Sequence, residues 1–109
     1  MYKEIIDINF VKGGDGLIPV IVQDIVSKNI LTLAYSNKKS IILTQKTGKS
    51  WFWSRSRKKL WMKGETSGNV QNVKKILVDC DCDAVIYLVD TKGPACHTKQ
   101  ETCFHNELK

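Results

Sequence analysis

The chain contains no long apolar run: its longest uninterrupted stretches, such as residues 17–22 and 84–88, fall far short of the roughly 20 residues that a membrane-spanning helix needs. No secretory leader is expected either, because Glu4 and Asp7 stand where the apolar segment of a leader would begin. The expectation is a cytoplasmic protein with no membrane partner. Only two prolines occur, and there is no repeat, low-complexity tract or linker-like segment, so one domain is expected over residues 1–109. The paired C-x2-C knuckles of zinc ribbons and the C-x-x-C of thiol redox proteins are missing as well, since Cys80-Asp81-Cys82 is C-x-C. Without a leader, the four cysteines read as metal ligands or reactive thiols in preference to disulfides.

A hydrophobic fraction of 42% with 26% charged residues excludes a disordered or fibrous chain. A chain this short buries only about two-thirds of its unfolded surface, and symmetric pairing with a second copy is the commonest remedy for a small core. A homodimer is therefore expected. Seventeen Lys and Arg against 11 Asp and Glu leave a net charge of +6, which points to an anionic partner: nucleic acid, acidic lipid or a phosphorylated metabolite.

Residues 17–26 and 30–35 are rich in β-branched side chains on either side of the turn-like Ser27-Lys28-Asn29, and predict a β-hairpin. Asn37 is placed to cap a helix from Lys38 to about residue 46, with Ile41, Ile42 and Gln45 at helical spacing and Gly48 as its stop. Trp51-Phe52-Trp53 and Leu60-Trp61 flank a basic segment, residues 64–68 read as a loop, and the middle third is expected to be the least regular part. Residues 70–78 and 84–89 predict two further strands, followed by an irregular tail. The fold class is α+β with β predominating and one or two short helices.

The densest chemistry lies in Asp79-Cys80-Asp81-Cys82-Asp83. If the preceding strand runs on through it, alternation puts Asp79, Asp81 and Asp83 on one face and the cysteines on the other. Three converging carboxylates suit Mg²⁺ and thiolates suit Zn²⁺, with a solvated turn as the plainer alternative. A calcium loop is excluded, because its sixth position would be Ala84 where glycine is needed and its twelfth Asp90 where glutamate is needed. Cys80-x15-Cys96-x6-Cys103 fits no standard zinc finger, and structural zinc, catalytic zinc with an open position, and unliganded thiols all remain open. His97 adjoins Cys96 and is a candidate ligand or proton carrier, whereas His105 lies close to the end of the chain and reads as solvated.

Ser54-Arg55-Ser56-Arg57-Lys58-Lys59 lies between Trp51, Trp53 and Trp61, which suits phosphates or stacked bases, or else a solvated edge over core tryptophans. Lys63-Gly64-Glu65-Thr66-Ser67-Gly68 adds the glycines, hydroxyls and cation of a phosphate-wrapping loop, and favours a compact anionic ligand. A zinc-stabilised nucleic-acid-binding module is the alternative reading, but it leaves the aspartates without a role.

Trp53-Ser54-Arg55-Ser56-Arg57, Leu60-Trp61, Lys63-Gly64, Thr66-Ser67-Gly68, Gln71, Asp79-Cys80-Asp81, Asp83-Ala84, Gly93-Pro94-Ala95-Cys96-His97-Thr98 and Cys103-Phe104 stand in an order that resembles the phosphoribosyl-AMP cyclohydrolases of histidine biosynthesis, from about Gly16 to Phe104. The resemblance implies zinc on Cys80, Cys96 and Cys103, one per subunit, with ligands drawn from both subunits of an intertwined homodimer. It implies one magnesium per subunit on Asp79, Asp81 and Asp83, and a stand-alone form without a pyrophosphohydrolase domain. The activity implied is hydrolytic opening of the adenine N1–C6 bond of phosphoribosyl-AMP by a zinc-activated water. His97 would assist proton transfer, and Arg55, Arg57, Lys63, Thr66, Ser67 and Gly68 would contact the substrate phosphates, with no nucleic-acid partner. Cys82 is the departure, a thiol at a position that is not a ligand in the family.

Overall fold

A computed structural model describes residues 1–91 and 93–109. Strands β1 (Ile18–Asp24) and β2 (Ile30–Ser36) form an antiparallel hairpin. Its turn is held by the Asp24 carboxylate, which accepts the N–H groups of Val26 at 2.8 Å and Ser27 at 2.9 Å. Helix α1 (Lys38–Thr47) begins where Asn37 accepts the Ser40 N–H at 2.9 Å and ends where Gly48, at φ 70°, donates to the Thr44 carbonyl. Next come β3 (Trp51–Ser54) and β4 (Lys59–Met62), an antiparallel pair, and then β5 (Gln71–Val78) and β6 (Val85–Thr91).

The main sheet has the order β2-β1-β6-β5, with β1 parallel to β6 and the other pairs antiparallel. Alternation along β1 and β6 buries Ile18, Val20, Val22, Val85, Tyr87 and Val89 on one face. Ile41 of α1 and Phe52 of β3 close over that face in one cluster, with the Phe52 ring centroid 5.6 Å from that of Tyr87 and 4.9 Å from that of Trp61.

Tyr87 is fully buried, and its hydroxyl donates to the Trp51 carbonyl at 3.0 Å while lying 3.2–3.3 Å from the Thr44 and Ser36 hydroxyls. Burial pushes its phenol above the ordinary range. This network ties α1, β2, β3 and β6 together. Tyr87→Phe is expected to cost about 1–2 kcal/mol, read as a lower urea midpoint at unchanged slope; an unchanged midpoint would show that the hydroxyl contributes nothing.

The structure departs from the sequence reading in three places. The middle third is not irregular: Trp51–Ser54 and Lys59–Met62 pair as a hairpin with the basic residues at its turn, so the tryptophans are partly buried and the cations exposed. The helix keeps its expected ends and buries Ser40, Ile41 and Thr44, with the Thr44 hydroxyl joining the Tyr87 network and Gln45 facing outward. β5 stops at Val78, and residues 79–84 form the turn into β6, with the Cys82 N–H donating to the Asp79 carbonyl at 3.1 Å. Strand alternation therefore does not arrange the aspartates and cysteines. A short 3-10 helix at Ile5–Asp7 was not anticipated.

Candidate active site

The turn performs the convergence that an extended strand was expected to perform. The ligand oxygens of Asp79, Asp81 and Asp83 all lie within 4.8 Å of one another. Asp79 accepts the N–H groups of Asp83 at 2.9 Å and Ala84 at 3.2 Å, which curls the chain so that all three carboxylates meet. Cys82 makes this turn with φ at 62°, a left-handed conformation that a side chain adopts at a cost of about 1 kcal/mol. Its carbonyl accepts the Asn9 N–H at 2.7 Å, which docks the N-terminal segment on the turn.

That segment delivers Lys12, whose ammonium lies 3.0 Å from Asp81 and 2.6 Å from Asp83. The Lys12 contact, foremost, lowers the Asp81 carboxyl to about 2. Asp83 moves the other way: Lys12 lowers it, but the Asp81 and Asp79 carboxylates together raise it above the usual range. Three carboxylates set against the single ammonium of Lys12 among the described residues are a donor set that fits a divalent metal such as Mg²⁺. A cleft of about 230 Å³, lined in part by Lys12, Gly13 and Asp83, opens beside them.

Two of the other three predicted ligands lie elsewhere. Asp79–Asp83 precede β6 and Cys96 follows it, and the seven residues of the strand put about 20 Å between the two ends. Cys96 is buried, and its sulfur lies 3.0 Å from the Thr98 hydroxyl. The Thr98 hydroxyl and N–H hold the Cys96 thiol below its ordinary range, and the Cys103 thiol and the Lys63 ammonium add to the shift. Cys103 is placed by its own N–H, which donates to the Leu31 carbonyl at 2.7 Å. Cys80 is exposed at the aspartate end. Among the described residues, no group of three or more metal-binding side chains forms within the protomer apart from the aspartates, so Cys80 does not join Cys96 and Cys103 there. His97 sits exposed in the turn after Cys96, and the exposed His105 donates from Nδ1 to the Thr102 carbonyl, 2.9 Å away.

The predicted phosphate contacts divide the same way. Arg55 lies at the β3–β4 turn on the aspartate side, its guanidinium 3.0 Å from Asp15 and 3.9 Å above the centre of the Tyr35 ring, with exposed Arg57 beside it. The Leu17 N–H, then Arg55, hold Asp15 below the usual carboxylate range. Lys63, Thr66, Ser67 and Gly68 lie beyond β4 on the thiol side, where the loop turns through Gly64 at φ 90° and packs Asn69 against Gly93. Sequence reasoning missed Lys12, Asp15, Tyr35 and the role of Thr98. Only Thr98 carried a signal, its place in the Cys96-His97-Thr98 motif; the others meet their partners through long-range packing.

The family model for phosphoribosyl-AMP cyclohydrolase matches residues 32–105. A phosphoribosyl-AMP cyclohydrolase of Nitrosopumilus maritimus is 67% identical over 109 residues, covering 100% of both chains. One from Archaeoglobus fulgidus is 62% identical over 94 residues, 86% of this chain and 87% of its own. A histidine biosynthesis bifunctional protein of Bacillus subtilis is 60% identical over 93 residues, 85% of this chain but 44% of the longer protein. With this coverage and identity, the chain belongs to the phosphoribosyl-AMP cyclohydrolase family.

Proposed function

We propose that this protein hydrolyses 1-(5-phosphoribosyl)-AMP in the third step of histidine biosynthesis, opening the six-membered ring of adenine at N1–C6. The observation that carries this reading is the 67% identity, over the whole chain, to a relative that bears the activity's name. One water is consumed: its oxygen adds to C6, the N1–C6 bond breaks, N1 takes up a proton, and C6, still bonded to the imidazole ring, becomes with its exocyclic nitrogen a carboxamide.

The separation of the thiols supports a composite site. Cys96 and Cys103 of one protomer, with Cys80 of the partner subunit, would hold zinc through three soft donors and leave one position open. The outer face of the sheet suits such pairing. Leu33, Ile21, Ile86 and Leu77 lie in register across β2, β1, β6 and β5, with Leu33 and Leu77 each 44% exposed, beside a hollow of about 420 Å³ lined by Ile21, Leu77 and Ile86. An intertwined homodimer covering this row would bring the aspartate end of one protomer to the thiol end of the other. Arg55 and Arg57 would then face the Lys63 and 66–68 loop across the site, one group for each terminal phosphate of the substrate.

Zinc held by these thiols would supply a Lewis acid that lowers the pKa of water toward neutrality, and magnesium held by Asp79, Asp81 and Asp83 would help neutralise the substrate's phosphates. His97, exposed beside Cys96, is free to turn toward the reacting carbon and to carry a proton from water to N1. Asp15 and Tyr35 keep the Arg55 guanidinium from wandering before substrate arrives. Lys12 acts as a resident counter-cation that a divalent metal has to displace from Asp81 and Asp83. Lys12→Met is therefore expected to tighten Mg²⁺ binding about threefold to tenfold by calorimetric titration. Equal or weaker affinity would show that the ammonium does not compete.

The direct test follows the ultraviolet absorbance of purified protein with phosphoribosyl-AMP, Zn²⁺ and Mg²⁺, then with chelator. Chelator-sensitive ring opening is expected. No turnover by metal-replete protein would overturn the assignment.

A further inference from the structure

Two polar side chains at the thiol end are sealed from solvent with nothing to bond. Ser50 and Gln71 are both 0% exposed, and Ser50 Oγ, Gln71 Oε1 and Gln71 Nε2 have no hydrogen-bond partner among the described residues. They are neighbours. The antiparallel bridge between Lys49 and Asn72 puts Ser50 opposite Gln71 one step along the ladder, with both side chains on the same face. That face is the core side, since Val73, two residues from Gln71, packs on the hydrophobic cluster. A buried amide or hydroxyl left without a partner is strongly unfavourable, and three such atoms in one place call for a small polar group among them.

We propose that Ser50 and Gln71 form an internal hydration site for one ordered water, and that this hydrated pair positions the two segments that build the thiol end. A water there would bond the hydroxyl and both amide atoms, the three partners typical of buried waters. Both segments are attached to the pair through the backbone. The Ser50 carbonyl accepts the Lys63 N–H at 2.9 Å, where the 64–68 loop departs. Gln71 is paired with Thr91 at the end of β6, and lies two residues after Asn69, whose side chain abuts Gly93 in the approach to Cys96. The amide thus lies under both walls of the loop cluster. Ser50 and Gln71 are positioning residues that act through Lys63 and residues 93–96.

The test uses the full chain as isolated and needs no turnover, so it stands or falls separately from the assigned reaction. Gln71→Met keeps the volume and removes the amide; Ser50→Ala and the double variant complete a cycle. Oxygen-17 relaxation dispersion is expected to show a long-lived internal water in the wild type that is lost in the double variant. Each single variant should lower Tm by a few degrees, with the double variant falling less than the sum, since the second change removes the group that the first left orphaned. Amide exchange should quicken several-fold in residues 63–68 and 93–97 of Gln71→Met while residues 79–84, at the far end, hold their rate. Tyr87→Phe provides the comparison for a general loss of stability and should not reproduce that local pattern. A higher Tm in Gln71→Met, no long-lived water, or exchange that quickens equally at both ends would overturn the proposal.

Discussion

Cys80→Ala and Cys96→Ala proteins, each inactive by itself, are expected to regain about a quarter of wild-type turnover when co-expressed in equal amounts as dimers. The number follows from the geometry. The two positions lie at opposite ends of β6, so a protomer cannot bring Cys80 to Cys96 and Cys103 without help. If the partner supplies the missing thiol, a mixed dimer contains one site with all three cysteines and one lacking two. Random pairing makes about half of the dimers mixed, and half of the sites in those dimers are intact. A site built within one protomer predicts no recovery at all, because every chain in the mixture carries a damaged site. The measurement is turnover against zinc content in the co-expressed sample, and a mixture as dead as its components would sink the shared site.

Gly64→Ala should be the most damaging small substitution in the loop. Gly64 sits at φ 90°, and a Cβ there would lie 2.4 Å from the Val70 nitrogen and 2.5 Å from the Asn69 carbonyl carbon. Both are backbone atoms, so relief requires moving the start of β5 as well as the loop. The expected cost is about 2–4 kcal/mol, together with a rise in KM of about tenfold if residues 66–68 hold a phosphate. Two nearby glycines calibrate the effect. At Gly68, φ is 81° but nothing lies within 4 Å of an added Cβ, so alanine should cost only the backbone strain, about 1 kcal/mol. At Gly93 the nearest atom, at 2.3 Å, is the Asn69 side-chain oxygen, which can rotate away at the expense of its packing. Urea denaturation of the three variants ranks them, and a Gly64→Ala protein no weaker than Gly68→Ala would show that the close backbone approach is not maintained.

The distribution of charge explains why Lys12 and Arg55 behave unlike the other cations. Both are held by carboxylates, Lys12 by Asp81 and Asp83 and Arg55 by Asp15, while Arg57 and Lys58 stand exposed at the hairpin turn. The net charge of +6 points to an anionic ligand, but it does not say which cations are already committed.

What the sequence by itself determined was local or compositional. Asn37 and Gly48 mark the two ends of α1, because a side-chain cap and a left-handed stop are properties of single residues. The β-branched runs mark β1, β2, β5 and β6 to within a few residues, and family motifs single out the aspartates, thiols and basic residues as a set. The β3–β4 hairpin stayed hidden because its strands are only four residues each and its turn is a run of cations that reads as a surface segment. Tertiary structure alone decided that β1 lies parallel to β6, a pairing between residues about 65 apart that no local pattern encodes. That pairing sends the aspartate turn to one end of the sheet and the segment with Cys96 to the other. It also set Cys80 at the opposite end from Cys96 and Cys103, and the separate Lys49–Asn72 bridge brought Ser50 and Gln71 together, since side chains meet where strands end and not where they stand in the chain.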